Sequence, residues 1–537
     1  MSSVDTHTAT SGAPTPHGPA AEAPVKTPAQ KGTDGEVHVG LIFTALMLTM
    51  LMSSLGQMIF STALPTIVGE LGGVDHMTWV ITAFLLGQTI SLPIFGKVGD
   101  MIGRKGLYMF AVALFVVGSL IGGLATNMGI LIAARAIQGV AGGGMMIMSQ
   151  AIIADVVSAR ERGKYMGIMG SVFGVSSVLG PVLGGWFTDG PGWRWGLWLN
   201  IPLGLIALIG IYAFLHLPKR GTHGTTDWLG MATMAIATTC LILFVTWGGN
   251  EYPWGSTRII SLIAASIVFG FLFVLVELKA TNPLIPMGLF KNRNFVLCTA
   301  AGLCVGIFMF GSLGYVPTYL QMVHSLSPTE AGLMMIPMMV GMMGTSIVVG
   351  QMVTRTGRYK WFPVVGLLIT AVGMYMLSTM TATDSLVRVG INLFVFGFGL
   401  GCAMQILVLI VQNSFPITMV GTATASNNFF RQIGGALGSA FVGGIFVGNL
   451  SDEIAKNVPA ALQQMGPAAA QYAQQMQGHG HLTPALVSSL PEPLKMAIDV
   501  SYNDALTPVF LLLVPLAVLA AVILTFVRED SLKETVS

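Results

Sequence analysis

With 537 residues, 53% hydrophobic and only 9% charged, and a mean hydropathy of +0.75, the chain cannot be a soluble globular domain, which carries about 25% charge. A net charge of +2 is too small to suggest nucleic acid, so what matters is where the bases sit. Cys240, Cys298, Cys304 and Cys402 all fall in apolar runs with no Cys-x-x-Cys spacing, and read as small packing residues. The composition predicts an all-α polytopic membrane protein.

Residues 1–39 are rich in Thr, Pro, Ala and Gly without apolar periodicity, and read as a disordered tail. They show no charged-then-apolar leader with a cleavage site, so the first helix, beginning near Gly40, is expected to be a retained signal anchor. At roughly 20 residues per crossing, helices 1–6 are predicted near 41–68, 77–97, 107–126, 129–151, 165–187 and 195–215. Two further crossings lie near 227–247 and 258–278. Helices 9–14 follow near 294–317, 328–353, 361–380, 386–412, 422–448 and 506–527, giving about 14 crossings. The expected organisation is a six-helix bundle over 40–216, two linker helices in 217–280, helices 9–13 over 281–448, an outer loop at 449–503, a last helix in 504–528 and a tail at 529–537.

The loops alternate in charge. One set holds Lys97, Arg104, Lys105, Arg160, Arg162, Lys164, Lys219, Arg220, Lys279, Lys291, Arg293, Arg355, Arg358 and Lys360; the other holds Arg194, Arg258, Arg388, Lys456 and Lys495. Short cytoplasmic loops collect Lys and Arg, so the first set and both chain ends are expected in the cytoplasm.

Between helices 2 and 3 the chain reads Gly96-Lys-Val-Gly99-Asp100-Met-Ile-Gly103-Arg104-Lys105-Gly106. Glycines allow tight turning and close helix approach. Asp100 can accept from backbone donors at a facing helix end and pair with Arg104, making a latch. The alternative, that the bases are only topology anchors, leaves Asp100 and the glycines without purpose. Gly350-Gln-Met-Val-Thr354-Arg355-Thr-Gly357-Arg358 repeats the pattern at an offset of 254 (350 minus 96), with Thr354 where Asp100 stands. The same offset carries Gly180 onto Gly434 and Gly184 onto Gly438. Two motifs sharing one offset argue for duplicated six-helix halves, with a substrate site near the midplane between them.

Helix 4 carries Arg135-Ala-Ile-Gln138-Gly139-Val-Ala-Gly142-Gly143. Arg135 is the one ionisable residue expected deep in the bilayer, where a charge costs roughly 3 kcal/mol on lenient scales. It reads either as functional or as an arginine bonding backbone carbonyls of its neighbours. Helix 5 carries Gly174-Val-Ser-Ser-Val-Leu-Gly180-Pro181-Val-Leu-Gly184-Gly185. Its glycines permit close packing, and Pro181 removes a backbone donor.

These segments, with Ala63-Leu64-Pro65 in helix 1, Leu289-Phe290-Lys291-Asn292-Arg293 before helix 9 and Ser327-Pro328-Thr-Glu330-Ala331-Gly332 before helix 10, resemble the major facilitator superfamily and, within it, the 14-helix drug:proton antiporter family. The resemblance covers nearly everything from Gly40 to Arg528. It implies a major facilitator fold of two six-helix bundles plus two extra helices. It further implies that Gly96, Gly99, Asp100, Gly103, Arg104, Lys105, Gly350 and Arg358 belong to the gate. Arg135 would take part in proton coupling by changing the proton affinity of a nearby carboxylate, and the cluster from Gly174 to Gly185 would seal the cavity against leak.

The chain departs from that family in helix 1, where relatives commonly place an aspartate nine residues before the proline: Gly56 stands there, followed by Gln57. None of the 23 acids falls in the middle of a predicted helix. Asp155 lies near the cytoplasmic end of helix 4, Glu277 near that of helix 8 beside Lys279, and Glu330 at the outer end of helix 10. Asp155, able to join Asp100 and Arg104 in a relay, and Glu330 are the candidate proton carriers. A cavity for lipophilic cations usually offers a carboxylate. Here the central polar groups are Gln57, Gln88, Gln138, Gln321, Gln405, Asn427, Asn428 and Gln432, alongside many of the 34 methionines. They favour neutral, zwitterionic or anionic amphiphiles, although such amides also bridge membrane helices.

The 449–503 loop contains Ala/Gln stretches from Ala460 and from Ala468, which favour a short helical hairpin. A solvated insertion is the alternative. His479 and His481 are a weak metal signal. The function that follows is proton-coupled efflux of amphiphilic small molecules by a monomeric carrier in the plasma (inner) membrane. Its partners would be the small substrate, protons and lipid, with no nucleic acid, cofactor or metal. A dedicated exporter of an endogenous lipid or metabolite is the first alternative, and a non-transporting receptor or scaffold on a transporter fold the second. An enzyme is not expected, since no nucleotide-binding loop or nucleophile elbow is present.

Overall fold

In lipid no water can satisfy a bare peptide group, so each apolar run must bond its own backbone as a helix. The computed structural model describes residues 39–72, 76–217, 224–249, 251–466 and 484–532. Among these residues, fourteen helices are long and apolar enough to cross a membrane, and the chain is a multi-pass membrane protein. The helices are α1 Val39–Leu71, α2 Met77–Ile102, α3 Arg104–Gly123, α4 Met128–Val156, α5 Ala159–Asp189, α6 Asn200–Phe214, α7 Trp228–Trp247 and α8 Thr257–Lys279. They continue as α9 Arg293–Leu313, α10 Ile336–Thr356, α11 Trp361–Ser378, α12 Leu386–Asn413, α13 Val420–Gln464 and α14 Glu492–Thr525. Short helical turns at Trp195–Trp198, Val316–Val323 and Pro328–Leu333 extend α6, α9 and α10.

Local sequence explains several starts. Asn127, Ser158, Ser256, Asn292 and Ser385 each accept from the backbone N–H three residues on, at the heads of α4, α5, α8, α9 and α12. The motif before helix 9 is thus a cap built on Asn292. The one before helix 10 is a capping box, in which Ser327 and Glu330 bond each other's backbone N–H.

Duplication is visible in the packing. Within the first half α1 packs on α5 and α6, α2 on α4, and α3 on α4 and α6; the second half repeats this as α9 on α13 and α14, α10 on α12, and α11 on α12 and α14. The repeated glycines serve the repeated contact. A Cβ at Gly180 would strike Met58 of α1, and one at Gly434 would strike the carbonyl of Leu303 in α9. Across the halves, α2 meets α13 as α10 meets α5, and α4 meets α13 as α12 meets α5. α7 lies against both α2 and α13, with Ile242 and Val245 packed among Leu85, Leu86, Ala436, Leu437 and Ala440.

Three boundaries differ from the sequence reading. The segment Gly96–Gly106 is not a loop: α2 continues to Ile102 and α3 starts at Arg104, leaving Gly103, at φ +99°, as the whole junction. α13 continues past 448 to Gln464, and α14 starts at Glu492 rather than 506. These extensions are held together by Asn457 donating to Ser501 (3.0 Å) and by buried Val458, Leu494 and Ile498. The second Ala/Gln stretch, His479 and His481, like Lys219, Arg220 and the 1–38 tail, lie outside the described residues.

Candidate functional site: a charged clamp and a buried amide cluster between the halves

Asp100 ends α2 where the N-terminus of α13 presents unpaired N–H groups. Its Oδ2 accepts from the Thr422 backbone N–H (2.7 Å) and from the Thr422 hydroxyl (2.8 Å), while Oδ1 pairs with Arg104 Nη2 (2.7 Å). Arg104 Nη1 in turn pairs with Asp155 Oδ1 of α4 (2.7 Å) and donates to the Ala151 carbonyl (2.7 Å); Nη2 also donates to the Ile417 carbonyl (3.1 Å). The expected relay of Asp100, Arg104 and Asp155 is therefore assembled, with side chains only 2–6% exposed. Burial raises the strength of such pairing and the cost of breaking one side of it.

The glycines make the approach possible. A Cβ at Gly96 would collide with the Cβ of Ala425 and lie 2.8 Å from the Gly421 carbonyl, and one at Gly421 would lie 2.5 Å from Asp100 Oδ1. Gly96→Val is expected to hold the clamp open and cut transport at least about tenfold while the protein still reaches the membrane. Transport assays normalised to membrane-inserted protein check this, and a wild-type rate would contradict the close-approach argument. Gly99 faces Met148 within the first half.

The second copy does the same job with the opposite chemistry. Gly350 backs onto the Gly163 backbone, and Arg160 of α5 donates to the carbonyls of Thr354 (2.9 Å) and Arg355 (3.0 Å) at the end of α10. One clamp sets an acid against a helix N-terminus; the other sets a base against a helix C-terminus. Both lie at the same end of the bundle. Arg358 is exposed and Lys105 donates to the Tyr212 carbonyl of α6 (3.0 Å), so neither joins the clamp contacts.

The helix 5 cluster divides its contacts. Gly180 serves α1, whereas Gly174 faces Met342, Gly185 faces Thr329, and Pro181 faces Gly332 across the halves. Gly184 accepts from the Thr188 hydroxyl (2.6 Å) within the helix.

Arg135 is fully buried, with its guanidinium 4.3 Å from the ring centres of both Phe60 and Phe84. It donates to Gln138 Oε1 (3.0 Å) and to the carbonyls of Val80 and Gly56 (3.4 Å each). Among the described residues its partners are carbonyls, an amide and two rings, with no carboxylate. Glu330 sits exposed at the opposite end in its capping box, far along the bundle from the clamp. Glu277 accepts from the Leu284 and Ile285 amides (3.2 and 3.0 Å) rather than engaging Lys279.

The amides separate into three groups. Gln138 turns inward to Arg135 and Ser119, and Asn427 turns to Thr299 of α9, so these two brace single halves rather than line a shared cavity. Gln405 packs against Gly170 of α5, and Asn428 donates to Gln150 Oε1 of α4 (2.9 Å), both between the halves. Gln88 is buried beside Gly143 of α4, while Gln57, Gln321 and Gln432 are half-buried.

Sequence reasoning missed Arg431, Gln150 and Gln412. Arg135 is not the only deep charge: Arg431 is 5% exposed, eleven residues (431 minus 420) into α13, about 16 Å along the helix axis. Its position inside a predicted membrane helix, beside Asn427, Asn428 and Gln432, was the available signal. Among the described residues no cluster of His, Cys, Asp and Glu could hold a metal.

Comparison with known proteins agrees with this architecture. The family model described as Major Facilitator Superfamily matches residues 46–439. An uncharacterized MFS-type transporter of Mycobacterium tuberculosis is 37% identical over 499 residues, covering 93% of this chain and 71% of that protein. The multidrug transporter protein MdtP of Bacillus subtilis is 35% identical over 472 residues, covering 87% of each chain. Among solved structures, the human organic anion transporter MFSD10 (TETRAN) superposes with a TM-score of 0.55 at 17% identity, covering 89% of this chain and 99% of its own. The proton:xylose symporter XylE does so with 0.56 at 15%, covering 92% and 98%. At those identities the two structures speak for the fold alone. A match over most of the chain, a duplicated packing scheme and a clamp between the halves lead to one conclusion: the chain belongs to the major facilitator superfamily of membrane transporters.

Proposed function

We propose that the protein exports amphiphilic small molecules by alternating access, driven by proton influx, with the clamp end and both chain ends in the cytoplasm. The observation that carries this reading is the buried Asp100–Arg104–Asp155 chain fastened to the head of α13: it joins the halves at one end through groups whose strength depends on charge. Protonating either acid removes an ion pair, weakens the clamp and favours opening on that side. The multidrug and efflux names of several relatives support the substrate class. The fourteen-to-five distribution of loop bases supports the orientation and a plasma-membrane setting.

Asp155 is the proposed inner proton carrier, and Glu330 is kept as the outer candidate. Arg135, lacking an acidic partner, acts in this scheme by bracing α1, α2 and α4 as one body. Proteoliposomes with an imposed pH gradient should show substrate movement that collapses with an uncoupler. Transport that survives the uncoupler sinks the antiport reading. Unchanged pH-driven transport in the double variant Asp155→Asn, Glu330→Gln rejects the assignment of carriers.

A further inference from the structure

Arg431 is a buried cation, 5% exposed, that lies in the seam between the halves. Its Nη2 donates to Asn428 Oδ1, and among the described residues Nη1 has no hydrogen-bond partner and no carboxylate pairs with the guanidinium. It belongs to a cluster that spans both halves. Asn428 of α13 donates to Gln150 Oε1 of α4 (2.9 Å) and to the Thr424 carbonyl (3.0 Å), and Gln412 of α12 donates to the Gln150 carbonyl (3.3 Å). Gln150 is 1% exposed, and Gln412 Oε1 is likewise without a donor. Arg431 stands about 16 Å along α13, about three turns inside a helix long and apolar enough to cross a membrane.

An arginine stays charged in a protein, and a buried, unmatched cation strongly disfavours a cationic ligand while favouring an anionic one. Its planar fork fits a carboxylate, with two donors in parallel. The amides around it have both donors and acceptors but carry no compensating charge. The contact between Asn428 and Gln150 crosses the halves, so rocking must break it and open the cluster toward the space between them.

We propose that Arg431, with Asn428 and Gln150, is the recognition site for a carboxylate borne by an amphiphilic substrate, making the transporter selective for organic acids over their neutral or cationic counterparts. This rests on the exporter reading and names its substrate class.

The test measures equilibrium binding to the purified full-length protein, with no gradient applied, using two matched pairs: dansyl-leucine with dansyl-leucinamide, and naproxen with its carboxamide. The wild type should bind each acid at least about tenfold tighter than its amide. Arg431→Gln should bring that ratio close to one, and Arg431→Lys should leave it intermediate. Asn428→Asp, which supplies an internal carboxylate to Arg431, should also abolish the preference and is the control should Arg431→Gln fail to fold. A wild-type ratio near one, a ratio unchanged in both Arg431→Gln and Asn428→Asp, or failure of both acids to bind overturns the proposal. Because binding is read without a gradient, its outcome is separate from the uncoupler test: acids that bind but do not move with the pH gradient would sink the exporter reading and leave the site standing.

Discussion

Asp100→Asn is expected to abolish gradient-driven transport while leaving the amount of protein in the membrane near that of the wild type. The substitution keeps size and shape but removes the charge that faces both Arg104 and the N-terminus of α13. Its new NH2 group would also oppose a donor, either the guanidinium or the Thr422 amide. Breaking one side of a buried ion pair costs roughly 3–5 kcal/mol, and 3 kcal/mol is already about a hundredfold on a two-state equilibrium. The Asp100–Arg104 pair itself lies within the first half; what the closed clamp loses is the charge that accepts from the Thr422 N–H and hydroxyl across the halves. Transport measured against surface-labelled protein decides the matter, and a normal rate refutes the latch. Asp100→Glu, which restores the charge with one extra methylene in a tightly packed seam, should recover only part of it.

Arg135→Lys should be nearly as damaging, for a different reason. The charge is retained, yet an ammonium cannot lie flat between Phe60 and Phe84 and still reach Gln138 and the carbonyls of Gly56 and Val80. Each stranded buried acceptor costs about 1–3 kcal/mol, and a desolvated cation–π contact contributes about 2 kcal/mol. Transport should drop at least about tenfold, with a lower melting temperature for the purified protein. If Arg135→Lys melts lower but carries substrate at the wild-type rate, the arginine matters to the fold alone.

The fold was legible because its signals are long and redundant: twenty-residue apolar runs, loop charge and a repeat at fixed offset. Asp100 and Arg104 were legible as a clamp because an acid and a base at helical spacing beside glycines have few other uses. What sequence could not show was which way a side chain turns. Gln138 and Asn428 look alike in an apolar run, yet one braces its own half and the other reaches across. Arg431 was not legible because its one local partner, Asn428, carries no charge, and the amides that complete the cluster, Gln150 and Gln412, come from α4 and α12, distant in the chain. The ends of α13 and α14 were misjudged because propensity, not hydropathy, carries those helices beyond the bilayer.

The two seams between the halves are built unequally. Along α5 and α10, contacts run from Gly163 to Gly185 with nothing interposed. Along α2 and α13, direct contact at the clamp gives way to α7, wedged by Ile242 and Val245. A rigid helix docked on both bodies limits how far they can spread on its own flank, so the proposed rocking is expected to be lopsided. In the proposed alternating-access scheme the α5–α10 seam, which α7 does not bridge, is the flank expected to part further.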